Sequence, residues 1–338
     1  MDSFASALQA YVQGLKDIQV TRYAQLTSSC IIVFDHLLTF DEEVDLIWKS
    51  AWSLGKVLFL LNRYYPLAAS IFNNYALFSP TLTDAICLRF FHWQGWTGLI
   101  SCMLAEGILQ IRLYALYSLD KRVLALMLTS FVLCSTLSAF VMGSVLTSIT
   151  ASAYPVPGGK FCVPKGVSTH FYAFWIPMLS FETLLCTLAV IRAIQMYQPS
   201  RSVFHSGRQL VSVLVRDSLM YFLVIFATYL TCLLVWTLAP VNLLGVPIGF
   251  SVAMSCVLAN RVVLNVREIS RDINLSKQPI IMSPKAEVDS DLPYHRSIRS
   301  PGALSPLEME ELRTMRAKSP RREVIEYYNE SELPFRVL

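Results

Sequence analysis

Charged side chains are scarce in this chain. Asp, Glu, Lys and Arg make up 15% of its 338 residues, whereas 54% of the residues are hydrophobic and the mean hydropathy is +0.48. In soluble globular proteins, roughly a quarter of the residues are charged. The composition therefore excludes an ordinary soluble protein and predicts an all-α, polytopic membrane bundle whose partner is a lipid bilayer rather than nucleic acid.

Catalytic and cofactor motifs are also missing. The chain has no His-Glu-x-x-His, no Gly-x-Ser-x-Gly and no Gly-x-x-x-x-Gly-Lys-Ser/Thr sequence. Of its five histidines, His36 falls near the inner face and His92 and His170 near the outer one, and two histidines alone are a weak metal signal. A retinal Schiff base needs a lysine in the last span, but no lysine lies between Lys165 and Lys277. We expect no enzymatic activity, no cofactor and no metal site.

Seven segments are long and apolar enough, or nearly so, to cross a bilayer, which takes about 20 residues each. They are 23–40, 54–78, 93–114, 123–146, 171–191, 215–238 and 241–261. The second is the weakest, because Lys56, Arg63 and Pro66 lie within it; without it, both termini would share a side. The sequence thus predicts a segment 1–22, a seven-span domain 23–263 and a tail 264–338.

Basic residues predict the orientation, because short loops rich in Lys and Arg remain in the cytoplasm. The loops on one side of the membrane, which include Lys49, Arg122 and Arg271, contain more Lys and Arg residues than the loops on the other side. Residues 1–22 are therefore expected outside and the tail inside the cytoplasm. The N-terminus lacks a basic region followed by a compact apolar core, so no cleaved signal peptide is expected. The plasma membrane or another secretory-pathway membrane fits this topology.

The tail differs in composition from the spans. From about Ser276 it is rich in Pro, Ser and mixed charge, which predicts disorder. Four Ser-Pro pairs are possible phosphorylation sites that would add negative charge beside arginines: Ser283, Ser300, Ser305 and Ser319. We expect a cytoplasmic protein partner to bind through this tail and the third inner loop.

Charged residues inside predicted spans require an explanation, because an unpaired charge in hydrocarbon costs several kcal/mol. Asp35 and Lys56 fall at similar depths and are expected to pair at the inner face. Arg63, Glu106 and Glu182 fall near mid-depth, which predicts one buried polar cluster. This cluster either neutralises itself and fixes the helix register, or lines a ligand cavity or a proton-coupled path.

Two of the eight cysteines, Cys87 and Cys162, lie in predicted outer loops, and the other six lie within spans. The oxidising side of the membrane permits a Cys87–Cys162 disulfide, with two free thiols as the alternative. Small residues spaced four apart predict close helix packing at Gly245 and Gly249, and at Ala139 and Gly143.

Four sequence motifs together resemble a large family of fungal, mainly basidiomycete, multi-pass membrane proteins. The motifs are DHLLTFDEEVDLIWK (35–49), SLGKVLFLLNRYYP (53–66), EGILQIRLYALY (106–117) and FWIPMLSFETLL (174–185). In that family a domain of unknown function covers the first two spans, here about 22–78. The resemblance implies an integral membrane protein and supplies no activity.

Three functional hypotheses remain open. Seven helices, an outer disulfide, a basic third inner loop and a Ser-rich tail favour a receptor-like or sensing protein with an unknown ligand. The third and seventh spans lack the Asp-Arg-Tyr and Asn-Pro-x-x-Tyr elements of rhodopsin-like receptors, so the analogy is architectural. The alternatives are a small-solute transporter or channel that uses Arg63, Glu106 and Glu182, and a membrane scaffold with an interaction tail.

Overall fold

The computed structural model describes residues 2–79, 81–156, 159–166, 170–197, 205–238, 243 and 245–277. These residues are mostly helical. The helices are α1 (Asp2–Leu38), α2 (Phe40–Glu43), a π-helix (Val44–Trp48), α3 (Leu54–Phe78), α4 (Asp84–Leu116), α5 (Lys121–Ser148), a 3₁₀ helix (Phe171–Phe174), α6 (Trp175–Tyr197), α7 (His205–Leu238) and α8 (Gly245–Lys277). The strands are β1 (Thr150–Val156) and β2 (Gly159–Lys165). The possible phosphorylation sites Ser283, Ser300, Ser305 and Ser319 lie outside the described residues.

Five helices of the described chain are long and apolar enough to cross a bilayer. They comprise α4, α5, the 3₁₀ helix with α6 (Phe171–Gln195), the second part of α7 (Leu219–Leu238) and α8 (Gly245–Arg271). Helices α1 and α3, which the sequence predicts as the first two spans, are not among them. Polar residues such as Asn62, Arg63 and Asn73 lie within α3, although its bounds match the predicted segment 54–78. The chain is therefore a helical, membrane-embedded protein.

The helices pack in a bundle in which neighbours in sequence are mostly neighbours in space. Helix α1 packs on α3, α3 on α4, and α4 on both α5 and α6, while α6 packs most extensively on α7. Helix α8 closes the bundle, because Ser255 hydrogen-bonds to Tyr229 of α7 at 3.2 Å and the Gly245 carbonyl accepts from Gln25 of α1 at 3.0 Å. The largest hydrophobic cluster contains residues of α4, α5, the 3₁₀ helix, α6, α7 and α8.

Helix α1 begins well before the first predicted span. Its 37 residues correspond to about 55 Å at 1.5 Å per residue, longer than the roughly 30 Å hydrocarbon layer. The described part of the 1–22 segment is therefore helical and continuous with the following residues. At the other end of the chain, α8 continues to Lys277, beyond the predicted domain boundary at 263.

A disulfide-linked β-hairpin covers one end of the bundle, which we call the hairpin end. Strands β1 and β2 are antiparallel, and Cys162 of β2 is bonded to Cys87 of α4, with 5.2 Å between their Cα atoms. This is the pairing that the sequence predicts. The backbone N–H of Ala153 donates to Asp84 at 2.7 Å, and Arg22 of α1 donates to the Lys160 carbonyl at 3.1 Å. The hairpin is thus tied to both α4 and α1.

Close packing of α8 on α1 depends on Gly249. A Cβ atom at this position would lie 2.5 Å from Ser28 Oγ and 2.9 Å from Gln25 Oε1, whereas a Cβ at Gly143 of α5 would meet no atom within 4 Å. We expect Gly249→Ala to lower the free energy of unfolding by about 1–3 kcal/mol through overpacking. Gly143→Ala should be neutral or slightly stabilising, because alanine favours helix. Denaturant titration of both variants in detergent checks this; equal stabilities would contradict the close contact.

Candidate functional site

An apolar cavity of about 330 Å³ lies beneath the hairpin. Its walls come from α1, α3, α4, α5, α6, α7, α8, the 3₁₀ helix and both strands. Aromatic side chains are prominent among the lining residues, including Phe90, Phe161, Phe174, Trp175 and Trp236. Small-molecule sites in proteins typically measure about 300–1,000 Å³ and are lined in this way. The cavity has the size and the character of a ligand site.

The described lining of this cavity contains no Asp, Glu, Lys, Arg or His. Its polar groups include Gln25, Gln94 and Ser251, of which Gln25 donates to a backbone carbonyl of α8 and Ser251 to one within α8. The indole Nε1 of Trp236 is buried and has no hydrogen-bond partner within the described part of the chain. A buried donor without an acceptor costs roughly 1–3 kcal/mol, so an acceptor at this nitrogen would be stabilising.

A second, smaller cavity of about 30 Å³ lies between α1, α3, α4 and α8. It shares Gln25 and Gln94 with the apolar cavity but is polar, with Ser28, Asn73 and Thr97 in its walls. A water molecule needs a space of at least about 10–15 Å³ and several polar partners. The smaller cavity has room for one or two waters beside the larger one.

At the opposite end of the bundle, Arg63 of α3 forms a fully buried ion pair with Glu43. The distance from Arg63 Nε to Glu43 Oε2 is 2.5 Å, and the two side chains are 1% and 0% exposed. Arg63 also donates to the backbone carbonyl of His36 at 3.0 Å. The ion pair therefore joins the end of α1, the end of α2 and the third turn of α3.

The other carboxylate oxygen of Glu43, Oε1, accepts two hydrogen bonds. Glu43 Oε1 accepts from the Tyr64 hydroxyl at 2.8 Å and from the Trp48 indole at 2.9 Å, and the His36 ring packs edge-on against Tyr64. Trp48 ends the π-helix, an element often found at functional sites. Arg63, Glu43, Tyr64, Trp48 and His36 form a unit that we call the Arg63 network.

The predicted inner-face pair between Asp35 and Lys56 is not formed. Asp35 Oδ1 instead lies 2.7 Å from Arg261 Nε of α8, and Lys56 donates to the carbonyls of Trp48 and Ser50 at 3.1 and 2.8 Å. Similar depth does not bring two residues together unless both helix faces point at each other. The structure corrects the pair to Asp35 with Arg261.

Helices α3 and α8 are also joined by a buried amide contact. Asn62 Nδ2 donates to Asn260 Oδ1 at 2.9 Å and to the Cys256 carbonyl at 3.1 Å. The Cys256 thiol donates to the Asn62 carbonyl at 3.0 Å. Together with the Asp35–Arg261 pair, this contact links the Arg63 network to α8.

The predicted cluster of Arg63, Glu106 and Glu182 is divided in the structure. Glu106 of α4 and Glu182 of α6 are 1% and 0% exposed and interact electrostatically with each other. Glu106 Oε1 and both Glu182 carboxyl oxygens have no hydrogen-bond partner among the described residues. The partner of Arg63 is Glu43 instead, because the α2 and π-helix turn places this residue against α3. We refer to Glu106 and Glu182 as the carboxyl pair.

Three residues of these sites were not identified from the sequence. Glu43 follows the first predicted span, which ends at residue 40, and Arg261 is the last residue of the seventh, so neither is predicted to pair inside the bundle. The sequence Val44–Trp48 carries no motif that predicts a π-helix. Trp236 carries no motif at all, and its role follows from the cavity that it lines.

A family model described as "Family of unknown function (DUF6533)" matches residues 23–68. This supports the predicted N-terminal domain of unknown function. The matched segment holds every member of the Arg63 network as well as Asp35 and Asn62. No curated protein matches the chain. The segment shared with the family is therefore the part that builds the polar network opposite the hairpin.

Proposed function

We propose that the protein is a receptor-like, sensing membrane protein of seven helices that binds a ligand in the apolar cavity. In this proposal α1 and α3 also cross the bilayer, the hairpin end faces outside, and the end of α8 lies in the cytoplasm. The cavity of about 330 Å³ beneath the hairpin is the observation that carries the proposal. The Cys87–Cys162 disulfide at the same end agrees with an oxidising exterior.

The proposed signal passes along α8. This helix lines the cavity through Ile248 and Val252, hydrogen-bonds to α3 through Asn260, and pairs with α1 through Arg261. A ligand can shift a conformational equilibrium only by its differential affinity for the two states. A ligand that changes the position of α8 beside the cavity would change the contacts of Asn260 and Arg261 at the opposite end.

Two glycines of α4 provide a matched test of this proposal. A Cβ atom at Gly98 or at Gly107 would meet no atom within 4 Å, so both positions accept a side chain, but Gly98 lines the cavity and Gly107 does not. A biotin ligase fused after Leu338 would label proteins near the tail in living cells. We expect Gly98→Leu to change the set of proteins that the ligase labels near the tail. Gly107→Leu should leave that set unchanged.

The same experiment separates the receptor from the scaffold. Unchanged labelling in Gly98→Leu, with labelling lost on deletion of 278–338, would overturn the receptor proposal and favour a scaffold that needs no ligand. Surface expression and thermal unfolding of both leucine variants provide the control for folding. A change in both variants alike would mean that α4 tolerates neither residue, and the smaller Gly98→Ala and Gly107→Ala pair then replaces them.

A proton-coupled transporter is the second candidate, and the carboxyl pair favours it. Burying two carboxylates without a cation costs several kcal/mol, so a pair of this kind takes up protons or a cation. In proteoliposomes loaded with a pH-sensitive dye, we expect proton flux to fall to the protein-free level in Glu106→Gln if the pair carries protons. Glu42→Gln, which changes an exposed carboxylate, should have no effect. No flux with the wild-type protein would exclude this candidate.

A further inference from the structure

We infer that the cavity ligand is a neutral, mainly apolar ring compound with one hydrogen-bond acceptor, and that the indole N–H of Trp236 binds this acceptor. The inference rests on the proposed ligand site. It names the chemical class of the ligand, which neither the family match nor the sequence indicates.

The lack of charged lining residues determines that the ligand is neutral. A carboxylate or ammonium group placed in the cavity would lose its hydration without a counter-charge from the described lining residues. The few polar side chains there offer dipoles only, and Gln25 already donates to the Gly245 carbonyl. A charged ligand would therefore be rejected.

The aromatic walls determine the shape of the ligand. The Trp236 ring stands edge-on to Phe171 with 4.5 Å between centroids, and Trp175 stands edge-on to Phe174 at 5.1 Å. These rings, together with Phe90 and Phe161 of the cavity lining, present faces and edges that favour other flat rings. A ligand with one or two rings would gain contacts that a flexible acyl chain would not.

Trp236 determines where the polar group of the ligand lies. Its Nε1 is buried and lacks an acceptor among the described residues, while the ring itself borders the cavity. A carbonyl or ether oxygen at this point would remove the cost of the unpaired donor. A site that hydrogen-bonds one group of a ligand discriminates strongly against the analogue that lacks it.

Benzophenone, diphenylmethane and 4-benzoylbenzoate test this assignment as a matched series. They share two rings, but the second lacks the carbonyl oxygen and the third adds a carboxylate. Binding to the full chain in nanodiscs is measured by competition against benzophenone photolabelling, with the labelled residues identified by mass spectrometry. We expect benzophenone to bind best and to label residues of the cavity wall.

Trp236→Phe removes the N–H and retains a ring. We expect it to weaken benzophenone binding about three- to tenfold and to leave diphenylmethane binding unchanged. Gly98→Leu should abolish the binding of both compounds. Equal loss for the two compounds in Trp236→Phe, stronger binding of 4-benzoylbenzoate, or labelling outside the cavity would overturn the inference.

Failure of this inference differs from failure of the receptor proposal. If Gly98→Leu changes tail labelling but Trp236→Phe leaves benzophenone binding unchanged, the ligand class is wrong and the receptor proposal stands. If benzophenone binds as expected but Gly98→Leu leaves tail labelling unchanged, the ligand class stands and the receptor proposal fails.

Discussion

Replacing Arg63 with methionine is expected to lower the free energy of unfolding by about 3–5 kcal/mol. The substitution keeps most of the volume of the side chain but removes its charge. Glu43, which is 0% exposed, would then hold a buried negative charge 2.5 Å from a vacated position. The backbone carbonyl of His36 would lose its donor as well. The measurement is chemical unfolding of the purified protein in mixed micelles.

A second substitution distinguishes lost pairing from lost packing. Glu43→Gln in the Arg63→Met background removes the orphaned charge and retains an oxygen for the Tyr64 and Trp48 donors. This double variant should recover most of the lost stability, because the penalty comes mainly from the unpaired charge. A double variant as unstable as Arg63→Met would show that packing around the guanidinium dominates.

The exposed ion pair between Asp45 and Lys49 provides the matched control. Its N–O distance is also 2.5 Å, but its side chains are 54% and 69% exposed. Exposed pairs contribute about 0–1 kcal/mol, so Lys49→Met should change stability very little. If Arg63→Met costs no more than Lys49→Met, water reaches the Arg63 network, and the network does not hold residues 23–68 together.

Hydropathy predicted the helices of this protein well because it reports local composition. The bounds of α3 agree with the predicted segment, and the described residues of the later apolar segments lie in helices. The hairpin was missed, although Pro-Gly-Gly at 157–159 between two runs with β-branched and aromatic residues is a turn signal. The spans predicted from the sequence place this stretch in an outer loop.

Pairing between helices could not be predicted in the same way. Depth along the bilayer follows from counting residues, and it placed Asp35 near Lys56. Rotation about each helix axis decides which neighbour is contacted, and one residue turns the direction by about 100°. Asp35 faces α8 and meets Arg261, while Lys56 folds back on the turn before α3. A single sequence contains no direct signal for that rotation.

The family match covers the Arg63 network but little of the cavity wall. Residues 23–68 include the ion pair and its hydrogen-bond partners, whereas most of the cavity wall lies on α4 and later elements. The family segment thus contributes the polar connection between α1 and α3, and residues outside it shape the cavity. Under the receptor proposal, the matched segment holds the α1 and α3 side of the connection to α8, and most residues that select the ligand lie outside it.

Replacing both Cys87 and Cys162 with alanine is expected to lower the free energy of unfolding by about 2–5 kcal/mol. The bond closes a loop with a sequence separation of 75 residues, and losing it frees that loop in the unfolded state. Both residues are buried, and β2 forms part of the cavity wall through Phe161 and Cys162. Benzophenone labelling should therefore fall together with stability.

Reductant provides the internal control for the disulfide. Dithiothreitol should lower the unfolding midpoint of the wild-type protein and leave the double alanine variant unchanged, because only the former contains the bond. Maleimide labelling under denaturing, non-reducing conditions should modify the six cysteines other than Cys87 and Cys162. Labelling of all eight cysteines, or a wild-type unfolding midpoint that dithiothreitol does not change, would mean that the thiols of Cys87 and Cys162 are free. The hairpin would then be held by its hydrogen bonds, including those with Asp84, Arg22 and Leu82, and by its packing on the bundle.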